Sequence, residues 1–198
     1  MGGYADTIGR VMSGDFAGAS DEEKARHVRE LIQVCAIAAG AVAVQPIPLL
    51  DIALLAPIQI GMVQGIGRIH GYDLDRKSVL EILSTFGASL VAQSVIMTAA
   101  KLIPFFGWAA ALSMAYALTY AIGEVSDHYF RTGRGVSQAS LREMFDSSYR
   151  RARADKEQSA AANVTLKAKL EQLTKAYELG LLTEDEYAKK KEELLRAL

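Results

Sequence analysis

The sequence predicts an all-α protein built on two apolar helical hairpins, followed by a short amphipathic helix and a two-helix tail. Charge is almost absent from the centre of the chain: Asp51 is the only charged residue within 31–67, and Lys101 is the only one within 82–123. No stretch of useful length alternates between apolar and polar residues, as a half-buried strand would. Helices are therefore expected throughout.

One apolar unit occurs twice in this centre. The segment PLLDIALLAPIQIGMVQGIG, which begins at Pro48, aligns with PFFGWAAALSMAYALTYAIG, which begins at Pro104. An apolar arm precedes each copy. Proline lacks a backbone donor and disfavours helix in the residue before it, so Pro46, Pro48 and Pro104 mark the predicted turns. We expect four long helices arranged as two pseudo-repeated hairpins.

The first elements can be placed from glycine content and capping patterns. Residues 1–19 contain many glycines and are expected to form a flexible lead; the alternative is one or two short amphipathic turns that contain Ile8, Val11, Met12 and Phe16. Ser20 and Glu23 have the spacing of a capping box, which predicts the start of the first long helix. Asp73 or Asp75 is the expected cap of the third arm.

The hairpin domain is predicted to cover residues 20–135. Gly61 and Gly65 in its second arm have the spacing that lets helices approach closely. Asp51 and Lys101 lie at the two predicted hairpin tips. Asp51 is expected to act as a helix cap or first-turn anion. The alternative is a functional charge at one tip, paired with Lys101 at the other.

Beyond the hairpins, the sequence predicts an amphipathic helix over 136–154, a small and polar linker over 155–165, and a helical pair over 166–198. The buried face of the amphipathic helix is expected to comprise Leu141, Phe145, Tyr149 and Ala152. Thr183 and Glu186 form a second predicted capping box. The tail pair is too small to bury its own apolar stripe. Its predicted interaction face is Leu170, Leu173, Tyr177, Leu182, Tyr187 and Leu194.

No pattern in the sequence predicts a reaction. The glycine-rich stretches lack the preceding strand and the lysine of a phosphate-binding loop, and His27, His70 and His128 lack the local spacing of metal ligands. A net charge of −1 gives no bulk attraction to nucleic acid. We therefore predict no catalytic, cofactor-binding or metal-binding residue, no cofactor and no nucleic-acid partner.

Several short blocks between Leu31 and Gly133 resemble the domain-of-unknown-function 697 family. They are AIAAGAVAVQPIPLLD, IHGYDLD, LIPFFGWAAA and YAIGEVSDHYFRTG. His70 departs from the tyrosine that is usual before that glycine. The family is often fused to, or encoded beside, small GTPase domains, and some members are described as membrane proteins. Since the sequence shows no GTPase domain, any GTPase role inferred from the resemblance would have to be in trans, with a separate GTPase as a possible partner.

The tail, from Leu166 to Leu198, is similar to a short C-terminal (SHOCT) domain. The similarity is carried by LEQLTKAYELGLLTEDEYAKKKEELL. It implies a role in oligomerisation or in partner recruitment, and it implies no catalytic residue.

Arm length and charge asymmetry favour a membrane location. Each of the later arms is about nineteen residues, or roughly 28 Å as a helix, which is close to the hydrocarbon thickness of a bilayer. With two hairpins, nearly all basic residues lie on the side of the termini, which predicts that both termini are cytoplasmic. Acidic residues cluster on the same side, so a soluble cytoplasmic bundle is the alternative.

The expected function is that of a non-enzymatic, membrane-associated, self-assembling scaffold or membrane-remodelling factor whose tail controls oligomerisation or partner recruitment. Its expected partners are other copies of the chain and membrane lipid. One alternative is a multimeric membrane pore, because polar glutamines interrupt the apolar arms at Gln33, Gln45, Gln59, Gln64 and Gln93. Another is a soluble homo-oligomeric assembly that acts as an adaptor for a separate GTPase.

Overall fold

The computed structural model describes residues 3–14, 16–43, 50–86, 107–178 and 183–196. These residues contain seven helices and no strand, so the all-α prediction is confirmed. The chain divides into two compact units, Met1–Lys156 and Glu157–Leu198.

The helices have the following bounds in chain order: α1 Gly3–Ser13, α2 Asp21–Ala43, α3 Leu50–Ile69, α4 Arg76–Phe86, α5 Gly107–Arg131, α6 Gln138–Glu178 and α7 Glu184–Arg196. The predicted proline turns and one predicted tip charge lie outside the described residues, namely Pro46, Pro48, Pro104 and Lys101.

Helices α2, α3 and α5 form the core of the first unit. α2 packs most extensively against α5, and α3 packs against both. α2 and α5 run antiparallel, since Gly40 lies against Leu112 and Ile32 lies against Gly123. The interior between the three helices is mainly apolar, and Ile66 is among its completely buried side chains.

Of the two glycines predicted to allow close packing, one lies at a helix contact. A Cβ on Gly65 would lie 2.8 Å from Leu31 Cδ2 and 2.9 Å from Val11 Cγ1, so α1 and α2 both approach α3 at this point. Gly61 is exposed, and a Cβ there would meet no described atom within 4 Å. Of these two glycines, Gly65 is therefore the one that allows a close helix approach.

The N-terminal segment forms helix α1, whereas the sequence predicts a flexible lead. α1 packs against α2 and α3. Its inner face buries Thr7 and Val11, and Phe16 from the following turn is buried beside them. Ile8 and Met12 lie on the outer, exposed face. This amphipathic spacing explains why a glycine-rich segment docks as a helix.

Local capping patterns place the helix starts as the sequence predicts. The backbone N–H of Ser20 donates to Glu23 Oε2 at 3.1 Å, and the N–H of Glu23 donates to Ser20 Oγ at 3.2 Å. This confirms the first capping box. At α4, the N–H of Ser78 donates to Asp75 Oδ1 at 2.8 Å, so Asp75 rather than Asp73 is the cap.

α6 is one helix of 41 residues and includes 155–165, where the sequence predicts a linker. This corrects the linker prediction, because the stretch is rich in alanine and α6 contains neither glycine nor proline to end it. The boundary between the two units nevertheless lies within this stretch, after Lys156. The predicted inner face of the amphipathic helix is confirmed as buried: Leu141, Phe145, Tyr149 and Ala152.

The second unit contains the end of α6 and all of α7. The predicted capping box is present, since the N–H of Thr183 donates to Glu186 Oε2 at 2.9 Å and the N–H of Glu186 donates to Thr183 Oγ1 at 3.3 Å. The rings of Tyr177 and Tyr187 stack with centroids 4.8 Å apart. Leu170 and Leu173 are half-buried, Leu194 belongs to α7, and Leu182 lies outside the described residues.

Candidate functional site

One end of the helical core is apolar. Residues 36–43 of α2, 50–60 of α3 and 107–117 of α5 lie together here, and Asp51 is the only charged residue among them. We call this region the apolar end. Its buried interior is made mainly of small side chains: Ala39, Ala43, Leu55, Ala111, Met114 and Ala115.

The predicted tip charge Asp51 is the second residue of α3 and so lies in its first turn, where an anion complements the helix dipole. At the apolar end α2 ends and both α3 and α5 begin; residues 44–49 and 87–106 precede α3 and α5 in the sequence. In sequence these two segments are also apolar, with Lys101 as their only charge. Because Lys101 lies outside the described residues, its pairing with Asp51 stays a prediction.

The opposite end of the same helices is charged. His70 Nε2–H donates to Asp127 Oδ1 at 2.7 Å, and Arg131 Nη2 lies 3.9 Å from Asp127 Oδ2. These side chains line a surface groove of about 370 Å³ together with Lys24 and Tyr72. The His70–Asp127 bond joins α3 to α5. We call this region the charged end; it comprises the start of α2 and the last turns of α3 and α5.

A second polar network is buried beneath α1. His27 is only 1% exposed, and its Nδ1 lies 2.8 Å from Thr7 Oγ1. Thr7 Oγ1–H donates to Glu30 Oε2. Arg10 Nη1 lies 3.0 Å from His27 Nε2, on the other side of the ring. The network fastens α1 to α2, and sequence reasoning missed it because its members are far apart along the chain.

A third network attaches α6 to the core. Glu124 Oε2 accepts from Ser148 Oγ–H at 2.6 Å and from Arg151 Nη2 at 2.7 Å. Tyr120 lies one helical turn before Glu124. Burial raises the pKa of the Tyr120 hydroxyl, and the negative charge of Glu124 raises it further. The carboxylate of Glu124 thus acts as an acceptor between helices.

Five glutamines suggested a pore, and two of them form hydrogen bonds within the helical core. Gln59 Nε2–H donates to Thr119 Oγ1 at 3.2 Å, and Gln64 Nε2–H donates to the carbonyl oxygen of Leu74 at 3.0 Å. Gln33 lies on the wall of a cavity of about 260 Å³ between α2 and α5. Gln45 and Gln93 lie outside the described residues.

The lone thiol is poorly suited to nucleophilic chemistry. Burial raises the pKa of the Cys35 thiol to about 11, so the reactive thiolate is scarce at neutral pH. Across the described ranges, no three His, Cys, Asp or Glu side chains converge to hold a metal ion.

Among the helices that the structure describes, none combines the length and the apolar character required to cross a bilayer.

Comparison with known proteins finds one similar protein and one family. Magnetosome membrane protein 22 of Magnetospirillum gryphiswaldense is 27% identical to it over 142 residues, which cover 68% of this chain and 72% of that protein. No solved structure matches the chain significantly. The family model described as "Domain of unknown function (DUF697)" matches residues 16–154, which run from the turn before α2 into α6. The chain therefore belongs to the DUF697 family.

Proposed function

We propose that this chain is a non-catalytic, membrane-associated scaffold that assembles with copies of itself. In this proposal the apolar end contacts lipid, the charged end stays in water, and the tail controls assembly or recruits a partner. The observation that carries the proposal is the separation of charge along the helical core, from the His70–Asp127–Arg131 cluster to an end with only Asp51.

The two ends of the core differ in the free energy that they gain or lose on leaving water. Apolar surface is stabilised by about 25 cal/mol per Å² when it leaves water. An ion loses several kcal/mol on the same transfer unless it is well paired. On the surface of the apolar end, Ile37 is 55% exposed although it is a large apolar side chain. These opposite preferences favour one orientation at a lipid surface.

Two further observations support the proposal. The similar protein from Magnetospirillum gryphiswaldense is named as a membrane protein. The tail unit leaves Tyr177 and Leu195 39% and 45% exposed, which suits a surface that takes a partner. A pore is less well supported, because Gln59 and Gln64 donate their amide hydrogens inside the core.

Vesicle flotation with a matched pair of variants tests the proposal. Ile37→Glu places a charge on the apolar end. Leu80→Glu places the same charge on α4, one turn from its charged N-terminus, at a side chain of similar exposure, 49% against 55%. Because both sites are exposed, both variants should fold, and their urea denaturation curves check this.

We expect the full-length chain to float with phosphatidylcholine and phosphatidylglycerol vesicles, and Leu80→Glu to float equally well. Ile37→Glu should lose at least the transfer free energy of one large apolar side chain, about 1.5–3 kcal/mol of binding. Equal flotation of the two variants would contradict the role of the apolar end. A wild-type chain that stays with the soluble fraction would contradict membrane association itself.

A further inference from the structure

The network beneath α1 determines the protonation state of His27. Thr7 has a single hydroxyl hydrogen, and an ionised carboxylate can only accept, so that hydrogen is donated to Glu30. The Thr7 oxygen must then accept from His27, which places a hydrogen on Nδ1. The guanidinium of Arg10 can only donate, so Nε2 must present its lone pair. His27 is therefore neutral, with its hydrogen on Nδ1.

A second proton on His27 is incompatible with one half of this network. It would sit on Nε2, and a donor would then face the donor of Arg10 across 3.0 Å, with two positive charges in contact. The other half would persist, because Thr7 already accepts from Nδ1 and donates its own hydrogen to Glu30. Protonation should therefore release Arg10 while Thr7 stays bonded.

Arg10 also stabilises the segment that follows α1. Its guanidinium carbon lies 5.2 Å from the centre of the Phe16 ring, and the Phe16 ring meets the His27 ring edge-on at 5.5 Å. Both the second half of α1 and the Phe16 turn thus depend on the same contact. The next residue of α1, Val11, packs against Gly65 of α3.

The surrounding charges act on His27 from two elements. Arg10 on α1 opposes its protonation, and Glu30 on α2, 3.9 Å from Nδ1, favours it. α3 carries only Asp51, at its far end, and Arg68, which lies 3.9 Å from Asp73.

We propose that His27 is an acid-sensitive latch for α1: when it gains a proton it releases Arg10 and loosens the second half of α1. Loosening would expose Val11 beside Ile8 and Met12, and so extend one apolar face of the helix. If the proposed membrane function holds, this face is an additional lipid contact in acid. The latch itself does not depend on that function.

Two measurements on the full-length chain test the latch. The first is ¹⁵N NMR with labelled histidine, which distinguishes a hydrogen on Nδ1 from one on Nε2; a His27→Gln sample assigns the resonance. The second is amide hydrogen exchange across α1, corrected for intrinsic rates, between about pH 8 and pH 5, where histidines titrate. At neutral pH we expect the hydrogen of His27 on Nδ1. As His27 becomes charged, the hydrogen-exchange protection of the amides in the second half of α1 should fall about tenfold, which corresponds to the loss of roughly one hydrogen bond.

His70→Gln is the matched control. Like His27, His70 is a histidine with a hydrogen-bonded ring, but its partner is Asp127 of α5, so the substitution leaves the contacts of α1 intact. It should leave the response of α1 unchanged. Arg10→Gln should lower the protection of α1 at neutral pH and abolish its pH dependence. Three results would overturn the proposal. The first is a hydrogen on Nε2 of His27 at neutral pH, the second is a His27 that becomes charged while the protection of α1 stays the same, and the third is a His27 that stays neutral down to about pH 5.

Discussion

At the scale of single residues, the core depends on glycines at helix contacts. A Cβ on Gly123 would lie 2.6 Å from Cγ1 of Ile32, and one on Gly67 would lie 2.8 Å from Cδ1 of Leu74. Ile32 and Leu74 are themselves buried. An added methyl group must therefore displace a core side chain, which close-packed interiors resist.

Gly123→Ala should lower the free energy of unfolding by about 1–3 kcal/mol, because the new methyl overpacks the contact with Ile32. Gly61→Ala is the matched control, since a Cβ there meets nothing within 4 Å. That substitution should raise stability by up to about 1 kcal/mol through helix propensity. Urea denaturation followed by circular dichroism measures both, and equal effects would contradict the packing assigned to Gly123.

Cys35 should react slowly with a disulfide reagent such as DTNB while the protein is folded. Burial holds its pKa at about 11, above the ordinary thiol value, so little thiolate exists near neutral pH. In urea the rate should rise to that of an ordinary thiol. A folded-state rate equal to the denatured rate would show that Cys35 is not held in this environment.

At the scale of elements, the carboxylate of Glu124 on α5 bonds two side chains of α6. Ser148 is 2% exposed, and its hydroxyl donates to Glu124. Glu124→Ala should lower the free energy of unfolding by about 1–3 kcal/mol, because it leaves a buried hydroxyl without its acceptor. Glu143→Ala, which removes an exposed carboxylate of α6, should change it by less than about 0.5 kcal/mol.

A double-mutant cycle isolates this interaction. Once Ser148→Ala has removed the donor, the further loss of Glu124 should lower stability by less than it does in the wild type. Strict additivity of the two substitutions would show that the bond does not hold α6 in place.

In the tail, the first turn of α7 should lose stability in acid. The Thr183 backbone N–H and hydroxyl both donate to Glu186 and hold the pKa of this carboxyl below its usual range. A folded-state pKa below the unfolded value means that the stabilisation is present above the unfolded pKa and is lost as the pH falls through the folded one. Amide exchange in α7 should show this loss, and Thr183→Ala should weaken it, because alanine keeps the backbone N–H donor and removes only the hydroxyl donor. An unchanged acid response in Thr183→Ala would contradict the capping role.

The elements also show what a sequence can and cannot predict. The Ser20–Glu23 and Thr183–Glu186 caps were predictable because each pattern is complete within one helical turn. The Thr7–His27 contact was not, because nothing local indicates which distant side chain meets a buried histidine. The linker prediction over 155–165 was wrong because a small, polar and alanine-rich composition suits both a loop and a helix, and only glycine or proline would have distinguished them.

At the scale of the whole molecule, residues 50–60 and 107–117, from the first parts of the two apolar repeats, lie at one end of a helical core. The charge-free stretches of the sequence include parts of α2 and of α5. The antiparallel packing of these two helices brings those parts to the same end of the core. Which surface the apolar end meets cannot be predicted from composition, because lipid and a second copy of the chain satisfy the same side chains. Membrane association is therefore the central claim to be tested.

The most direct test uses Trp108, the single tryptophan of the chain, which is the second residue of α5 at the apolar end. Its fluorescence should be measured with vesicles that carry brominated acyl chains, which quench tryptophan only at close range. If the apolar end enters lipid, Trp108 of the vesicle-bound protein should be strongly quenched, and Ile37→Glu should weaken the quenching. Vesicle-bound protein with unquenched Trp108, or protein that does not bind vesicles, would contradict the account.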